Sequence, residues 1–231
     1  MRRLAIALML LPAIALAAPG FVPDGPTISV VPYGIESANY VCLPGNPYTG
    51  TTLGYYNIYF DTQSYAVLID PAECPTCDLG FAFSRVRMLL RLTAGAAFQV
   101  SASIADAVEA YPGCYAPGAV QASSGAAAVS GIATTGGYFI SLNWASPCID
   151  PGRPYFLIFS FPDLGTGLVG PYVDVDGIAN CQAYRDAGAG WIELASGGFA
   201  GDPQIWAETD CCSPPIADED ASWGRVKSLF R

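Results

Sequence analysis

The chain has 231 residues, with 20 acidic against 10 basic side chains, a formal charge of −10 and no histidine. An acidic surface this poor in cations repels phosphate backbones and anionic bilayers, which excludes nucleic-acid binding and disfavours attachment to anionic membranes. The missing imidazole removes Ser-His-Asp and Cys-His catalysis and every histidine metal site.

The first segment reads Met1-Arg2-Arg3, then an apolar run from Leu4 to Leu16, then Ala15-Leu16-Ala17. A basic start, a short apolar stretch and an Ala-x-Ala site are the parts of a secretory signal peptide. The run is shorter than the ~20 apolar residues that span a bilayer. We therefore read residues 1–17 as a signal peptide and expect a secreted or cell-surface protein with no stable transmembrane segment.

After it, helical periodicity is almost absent and period-two alternation recurs. Strand-like runs lie at Thr27–Val31, Leu53–Phe60 and Tyr65–Ile69. Val86, Met88, Leu90 and Leu92 form an apolar row opposite Arg85, Arg87 and Arg91, and Phe98, Val100, Ala102 and Ile104 form a second row. Runs at 126–133 and at Tyr138–Trp144 follow. Tyr155–Phe161 is apolar on both faces, as a central strand covered on both sides should be. The last runs are 190–195 and 204–209. Pro/Gly/Asn/Asp clusters such as Pro44-Gly45-Asn46-Pro47, Pro112-Gly113 and Pro151-Gly152 separate these runs. The pattern predicts an all-β fold, an antiparallel, jelly-roll-like β-sandwich. It occupies residues 18–212. Ser213-Pro214-Pro215 and Asp218-Glu219-Asp220 then open a solvated linker, and the amphipathic tail ends at Arg231, so 213–231 stands apart.

Eight cysteines, Cys42, Cys74, Cys77, Cys114, Cys148, Cys181, Cys211 and Cys212, imply a disulfide framework in an exported chain, although eight allow 105 connectivities. We expect Cys74–Cys77 to close as a local clip and Cys211 and Cys212 to tie the end of the domain to earlier strands. A redox pair at Cys74-Pro75-Thr76-Cys77 lacks the βαβ context that lowers a thiol pKa. A zinc tetrad of Cys74, Cys77, Cys211 and Cys212 competes poorly with oxidation during export.

Trp191-Ile192-Glu193 and Trp206-Ala207-Glu208 repeat one pattern. If their strands formed a hairpin, Trp191 would oppose Glu208 and Trp206 would oppose Glu193, placing two indoles and two carboxylates on one face. Indole faces stack on the C–H faces of sugars while carboxylates accept hydroxyl bonds, so these four are the candidate sugar-binding residues. The competing reading buries both indoles in packing. Tyr55, Asn57 and Tyr59 form a second aromatic candidate. Asp174 and Asp176, ending at Gly177, are a calcium candidate against a plain acidic turn. Nothing else calls for a cofactor. Arg85, Arg87 and Arg91 read either as an anion site or as internal ion pairs.

Cys74-Pro75-Thr76-Cys77-Asp78-Leu79-Gly80-Phe81, the stretch from Asp174 to Cys181-Gln182-Ala183-Tyr184 with Gly190-Trp191, Cys211-Cys212, and the final Trp223-Gly224-Arg225-Val226-Lys227 form a set. Together they resemble uncharacterised exported, cysteine-rich β-sandwich proteins of environmental bacteria that carry a short C-terminal Trp-Gly-Arg tail. The resemblance implies export and sandwich architecture, and a tail that serves in sorting or surface attachment. The leading functional expectation is a non-enzymatic protein for adhesion, surface structure or ligand binding, with a glycan or surface-protein partner. The alternatives are a carbohydrate-binding module and a secreted glycoside-active enzyme, the latter requiring two carboxylates about 5–10 Å apart across a groove.

Overall fold

The computed structural model describes residues 27–32, 42–48, 53–55, 64–174, 180–197 and 201–213. The expected signal peptide, the C-terminal tail from Pro214, and Asn57, Tyr59 and Asp176 lie outside the described residues. Eleven strands occupy the rest: β1 (Thr27–Pro32), β2 (Leu53–Tyr55), β3 (Ser64–Ile69), β4 (Phe81–Tyr111), β5 (Cys114–Ser123) and β6 (Ala127–Val129). They continue with β7 (Gly136–Asn143), β8 (Tyr155–Asp174), β9 (Ala183–Asp186), β10 (Trp191–Glu193) and β11 (Ile205–Cys211). Every strand pairing is antiparallel, and the described residues contain no α-helix, only a 3-10 turn at Pro71–Glu73. The fold is all-β, antiparallel and disulfide-stapled.

Two strands are longer than their punctuation suggests. The apolar rows at 86–92 and 98–104 belong to one strand of 31 residues, β4, and Tyr155–Phe161 is only the start of the 20-residue β8. Thr93-Ala94-Gly95-Ala96 reads as a break but forms a bulge. The register passes from Leu92↔Leu168 to Ala97↔Thr166, so β4 spends more residues than β8 over the same stretch. The bulge swallows the extra residues and bends the strand without ending it. Gly165, with φ 47°, lets β8 close onto this bend, because a Cβ there would sit 1.9 Å from the Ala97 carbonyl oxygen.

Both long strands therefore serve two halves of one sheet. Around residues 85–92, β4 has β7 on one side, and β11 and the later part of β8 on the other. Beyond the bend it has β5 and β6 on one side and the first part of β8 on the other. β1 extends the sheet from β7, β2 pairs with the end of β8, and β3, β9 and β10 follow outward from the start of β8.

The two rows of β4 point into one core. Val86, Met88, Leu90, Leu92, Phe98, Val100, Ala102 and Ile104 join Tyr155, Leu157, Phe159 and Phe161 of β8. As expected of a strand apolar on both faces, Phe156 and Ile158 face the other way, into a second cluster with Ala66, Ala105 and Tyr184. A third cluster gathers Leu89, Phe139 and Trp206, with Leu43, Tyr48 and Tyr172 packed beside it. Each large aliphatic or aromatic side chain so buried contributes about 1.5–3 kcal/mol.

All eight cysteines are oxidised, in the pairs Cys42–Cys74, Cys77–Cys211, Cys114–Cys181 and Cys148–Cys212. Cys211 and Cys212 do tie the domain's end to earlier segments. The expected Cys74–Cys77 clip does not form. The two cysteines sit at the ends of a turn, Cys77 N–H donating to the Cys74 carbonyl at 3.1 Å, and each sulfur reaches a different segment. Cys42–Cys74 secures residues 42–48 against β11. There Asn46 N donates to the Ile205 carbonyl at 2.7 Å and Ala207 N to the Pro44 carbonyl at 3.0 Å. Gly45, at φ 106°, lies so close to β11 that a Cβ would meet the Ile205 carbonyl oxygen at 2.7 Å.

Candidate functional site

The hairpin that would assemble the two Trp-x-Glu segments is absent. β10 pairs with β9, with Trp191 opposite Asp186 and Glu193 opposite Tyr184, whereas β11 pairs with β4, with Trp206 opposite Arg87 and Glu208 opposite Arg85. The physical reason lies on the other face of β11. Ile205 and Ala207 are apolar and join the main core beside Val86 and Met88, which burial rewards more than an exposed hairpin would. Trp206 and Glu208 follow onto the opposite face.

All four residues are then committed internally. Trp206 is 6 % exposed and stands edge-on to Phe139, ring centroids 5.8 Å apart. Trp191 packs half-buried against the Phe156–Ile158–Tyr184 cluster. Glu208 forms a buried ion pair with the Arg87 Nε and a second, 3.1 Å pair with Arg85, whose Nε donates to Asn143 Oδ1 at 2.7 Å. Glu193 accepts the backbone N–H of Cys181 at 2.5 Å, and Cys181 holds a left-handed φ of 64°. A non-glycine residue rarely adopts that conformation, and here the carboxylate and the Cys114–Cys181 bridge both hold it. The four candidate sugar-binding residues therefore do not share one face: the indoles pack on different clusters and the carboxylates bind the protein's own groups.

The arginine row resolves into internal contacts. Arg85 and Arg87 share Glu208, and the Arg91 guanidinium lies 4.6 Å from the centroid of the Tyr55 ring. Burial pulls the Arg87 pKa down, against the opposing pull of Glu208. Tyr55 is exposed and meets Tyr172 edge-on.

Asp174, the described half of the calcium candidate, is engaged with protein donors. Its Oδ1 accepts Asp202 N at 3.0 Å, and its Oδ2 accepts Asn46 Nδ2 at 2.8 Å and Gln204 Nε2 at 3.1 Å. Donor hydrogens aimed at a carboxylate repel a cation, so this group clamps the end of β8 to residues 42–48 and 202–204. Among the described residues no cluster of three or more Cys, Asp or Glu side chains is arranged to hold a metal.

A groove of about 240 Å³ lies elsewhere, between β5 and the segment leading into β8. Its accessible apolar lining is Ala122 and Pro147, its floor is the buried Ile104 and Ile149, and its polar edge comes from Gln121, Arg153 and Tyr155. The register of β4 and β5 moves from Ile104↔Ala122 to Ala105↔Val120, which leaves Gln121 as the extra residue of a bulge. Bulges re-aim side chains, and here Gln121 Nε2 donates to Asp106 Oδ2 at 2.5 Å. Asp106 faces Tyr155 across β4 and β8. Arg153 links them, its Nη1 2.9 Å from Asp106 Oδ1, its Nε donating to the Tyr155 hydroxyl at 3.0 Å and its guanidinium 4.9 Å from the Tyr155 ring centroid. Tyr155 first, then Asp106 and Asp150, push the Arg153 pKa up. The wall opposite β5 is fixed: Ile149 N donates to the Phe81 carbonyl at 2.7 Å and Cys148 is bridged to Cys212. The sequence signals for this site were weak, since Gln121 and Arg153 belong to no motif and Asp106 sits in an otherwise apolar alternation.

No protein-family model matches the chain, and neither a curated protein nor a solved structure is found that resembles it.

Proposed function

We propose that this chain is an exported, non-enzymatic β-scaffold that works at the cell surface or in the medium, in adhesion, surface structure or ligand binding. The observation that carries the reading is the disulfide set. All eight cysteines pair, and the bridges join segments 32 to 134 residues apart. Such a framework forms and persists in oxidising compartments. The signal-like N-terminus and the acidic composition support the same location. The non-enzymatic part draws on Glu193 and Glu208, the carboxylates nominated for chemistry, which are engaged with Cys181 and with Arg85 and Arg87.

The test is to express the full chain in a bacterial host, fractionate, and map the peptides under non-reducing conditions. Processing near Ala17 and four intact bridges in the exported fraction are expected. A reduced, unprocessed chain retained in the cytoplasm would sink the proposal.

A second reading, glycan recognition, has one observation in its favour once the Trp/Glu face is set aside. It is the rigid groove at Gln121, Arg153 and Tyr155.

A further inference from the structure

We infer that this groove is a binding subsite for a single neutral pyranose ring, with Arg153 and Gln121 reading its hydroxyls and Asp106 holding both in place. The inference rests on the reading of the chain as an exported binding protein and names the site and ligand class.

Three properties of the groove point to that class. The first is size. At about 240 Å³ it falls below the roughly 300–1,000 Å³ of pockets for drug-sized molecules, so it fits one ring. The second is charge. Arg153 is matched by Asp106 and faces Asp150 as well, inside a chain of net charge −10, so an anionic ligand meets no surplus of positive charge. The third is the shape of the polar groups. Guanidinium and carboxamide are planar and present their donors or acceptors in pairs, a geometry that matches two adjacent hydroxyls. Arg153 spends its Nε and Nη1 on Tyr155 and Asp106, while Asp106 accepts from both Arg153 and Gln121, so the three hold one another in place before any ligand arrives. Ala122 and Pro147 offer the accessible apolar surface against which the C–H face of a ring would lie, over a floor formed by the buried Ile104 and Ile149. Pre-organised side chains lose little conformational freedom on binding.

The roles differ. Arg153 is exposed and supplies uncommitted N–H donors. Asp106, behind the groove lining, positions it. Gln121, placed by the β5 bulge, supplies the amide oxygen left by its bond to Asp106. Tyr155 supports the guanidinium from below.

The experiment titrates the full-length exported protein with the methyl glycosides of glucose, galactose, mannose and N-acetylglucosamine, followed by ligand-observed NMR and calorimetry. Acetate and inorganic phosphate serve as anionic controls. Millimolar binding of at least one glycoside is expected, with no response to the anions. Arg153→Ala and Gln121→Ala should each weaken it about tenfold or more, the usual cost of losing a charge-assisted or paired hydrogen bond. Both side chains are exposed, so the variants should melt like the parent. Arg153→Lys should fail to restore binding, because an ammonium keeps the charge and loses the fork. A protein that binds none of the glycosides, binds the anions instead, or binds a glycoside equally well after Arg153→Ala overturns the inference. A blank titration leaves the exported-scaffold reading standing, since that reading falls only with the fractionation and peptide mapping.

Discussion

Replacing Glu208 by alanine should cost the fold about 3–5 kcal/mol, and most of that loss should trace to Arg87. The side chains of Arg87 and Glu208 are 4 % and 7 % exposed, so their ion pair is shielded from water. Removing one partner of such a pair leaves the other charge in a poorly solvating site, which is where that magnitude arises. The Arg85–Glu208 contact adds little. Its arginine is 35 % exposed, and ion pairs open to solvent contribute about 0.2–1 kcal/mol. For a domain of this size each kcal/mol lowers the melting temperature by roughly 2–4 °C, so Glu208→Ala should melt about 6–20 °C below the parent. Urea titration of the oxidised protein, followed by circular dichroism, gives the free energy directly. Arg87→Met combined with Glu208→Leu should recover much of the loss, because an apolar pair of similar volume carries no desolvation cost. A Glu208→Ala loss below about 1 kcal/mol would refute the reasoning, since it would mean that the pair is solvated. So would a double variant whose loss equals the sum of the single ones, since that would leave no coupling between the two residues.

Trp206→Ala should destabilise by about 3–5 kcal/mol through the cavity left against Phe139 and Leu89, measurable in the same urea titration. A glycan-binding defect without loss of stability would instead return Trp206 to a recognition role. Replacing Cys77 and Cys211 together by alanine opens a bridge across 134 residues and should cost up to about 5 kcal/mol on chain-entropy grounds. An unchanged melt would show that this bridge is dispensable. Tyr184 donates to the Tyr115 carbonyl at 2.6 Å, and burial first, then Glu193 and Tyr111, push its pKa up to about 12. Its folded-state pKa lies above the ordinary value of 10.0, so its contribution is intact below pH ~10 and is lost as pH rises toward ~12. Alkaline unfolding monitored by tyrosinate absorbance should shift in Tyr184→Phe, and an unchanged transition would reject that linkage.

The Trp-x-Glu repeats show where sequence reading stops. The alternation correctly placed Trp and Glu on one face of each strand, because side chains in a strand alternate strictly. The hairpin was a guess about partners, and partners are chosen by the apolar residues on the other face. Ile205 and Ala207 took β11 to β4, and Trp206 and Glu208 went with it. The arginine row was legible as either an anion site or internal pairing, and only the arrival of Glu208 decided for pairing. Gln121 and Arg153 were not legible at all. A bulge in β5 and a turn before β8 bring them to Asp106, and neither feature leaves a periodic trace in the residues.

From the residues alone came the all-β class, the doubly apolar central strand at Tyr155–Phe161, the exclusion of imidazole chemistry, and the anchoring of the domain's end by Cys211 and Cys212. These are properties of composition and of near neighbours along the chain. The tertiary structure alone decided that β4 runs unbroken through its glycine bulge, which cysteines pair, and whether each carboxylate faces solvent or an arginine. Those outcomes depend on contacts between residues far apart in sequence, where burial of one face fixes the fate of the other.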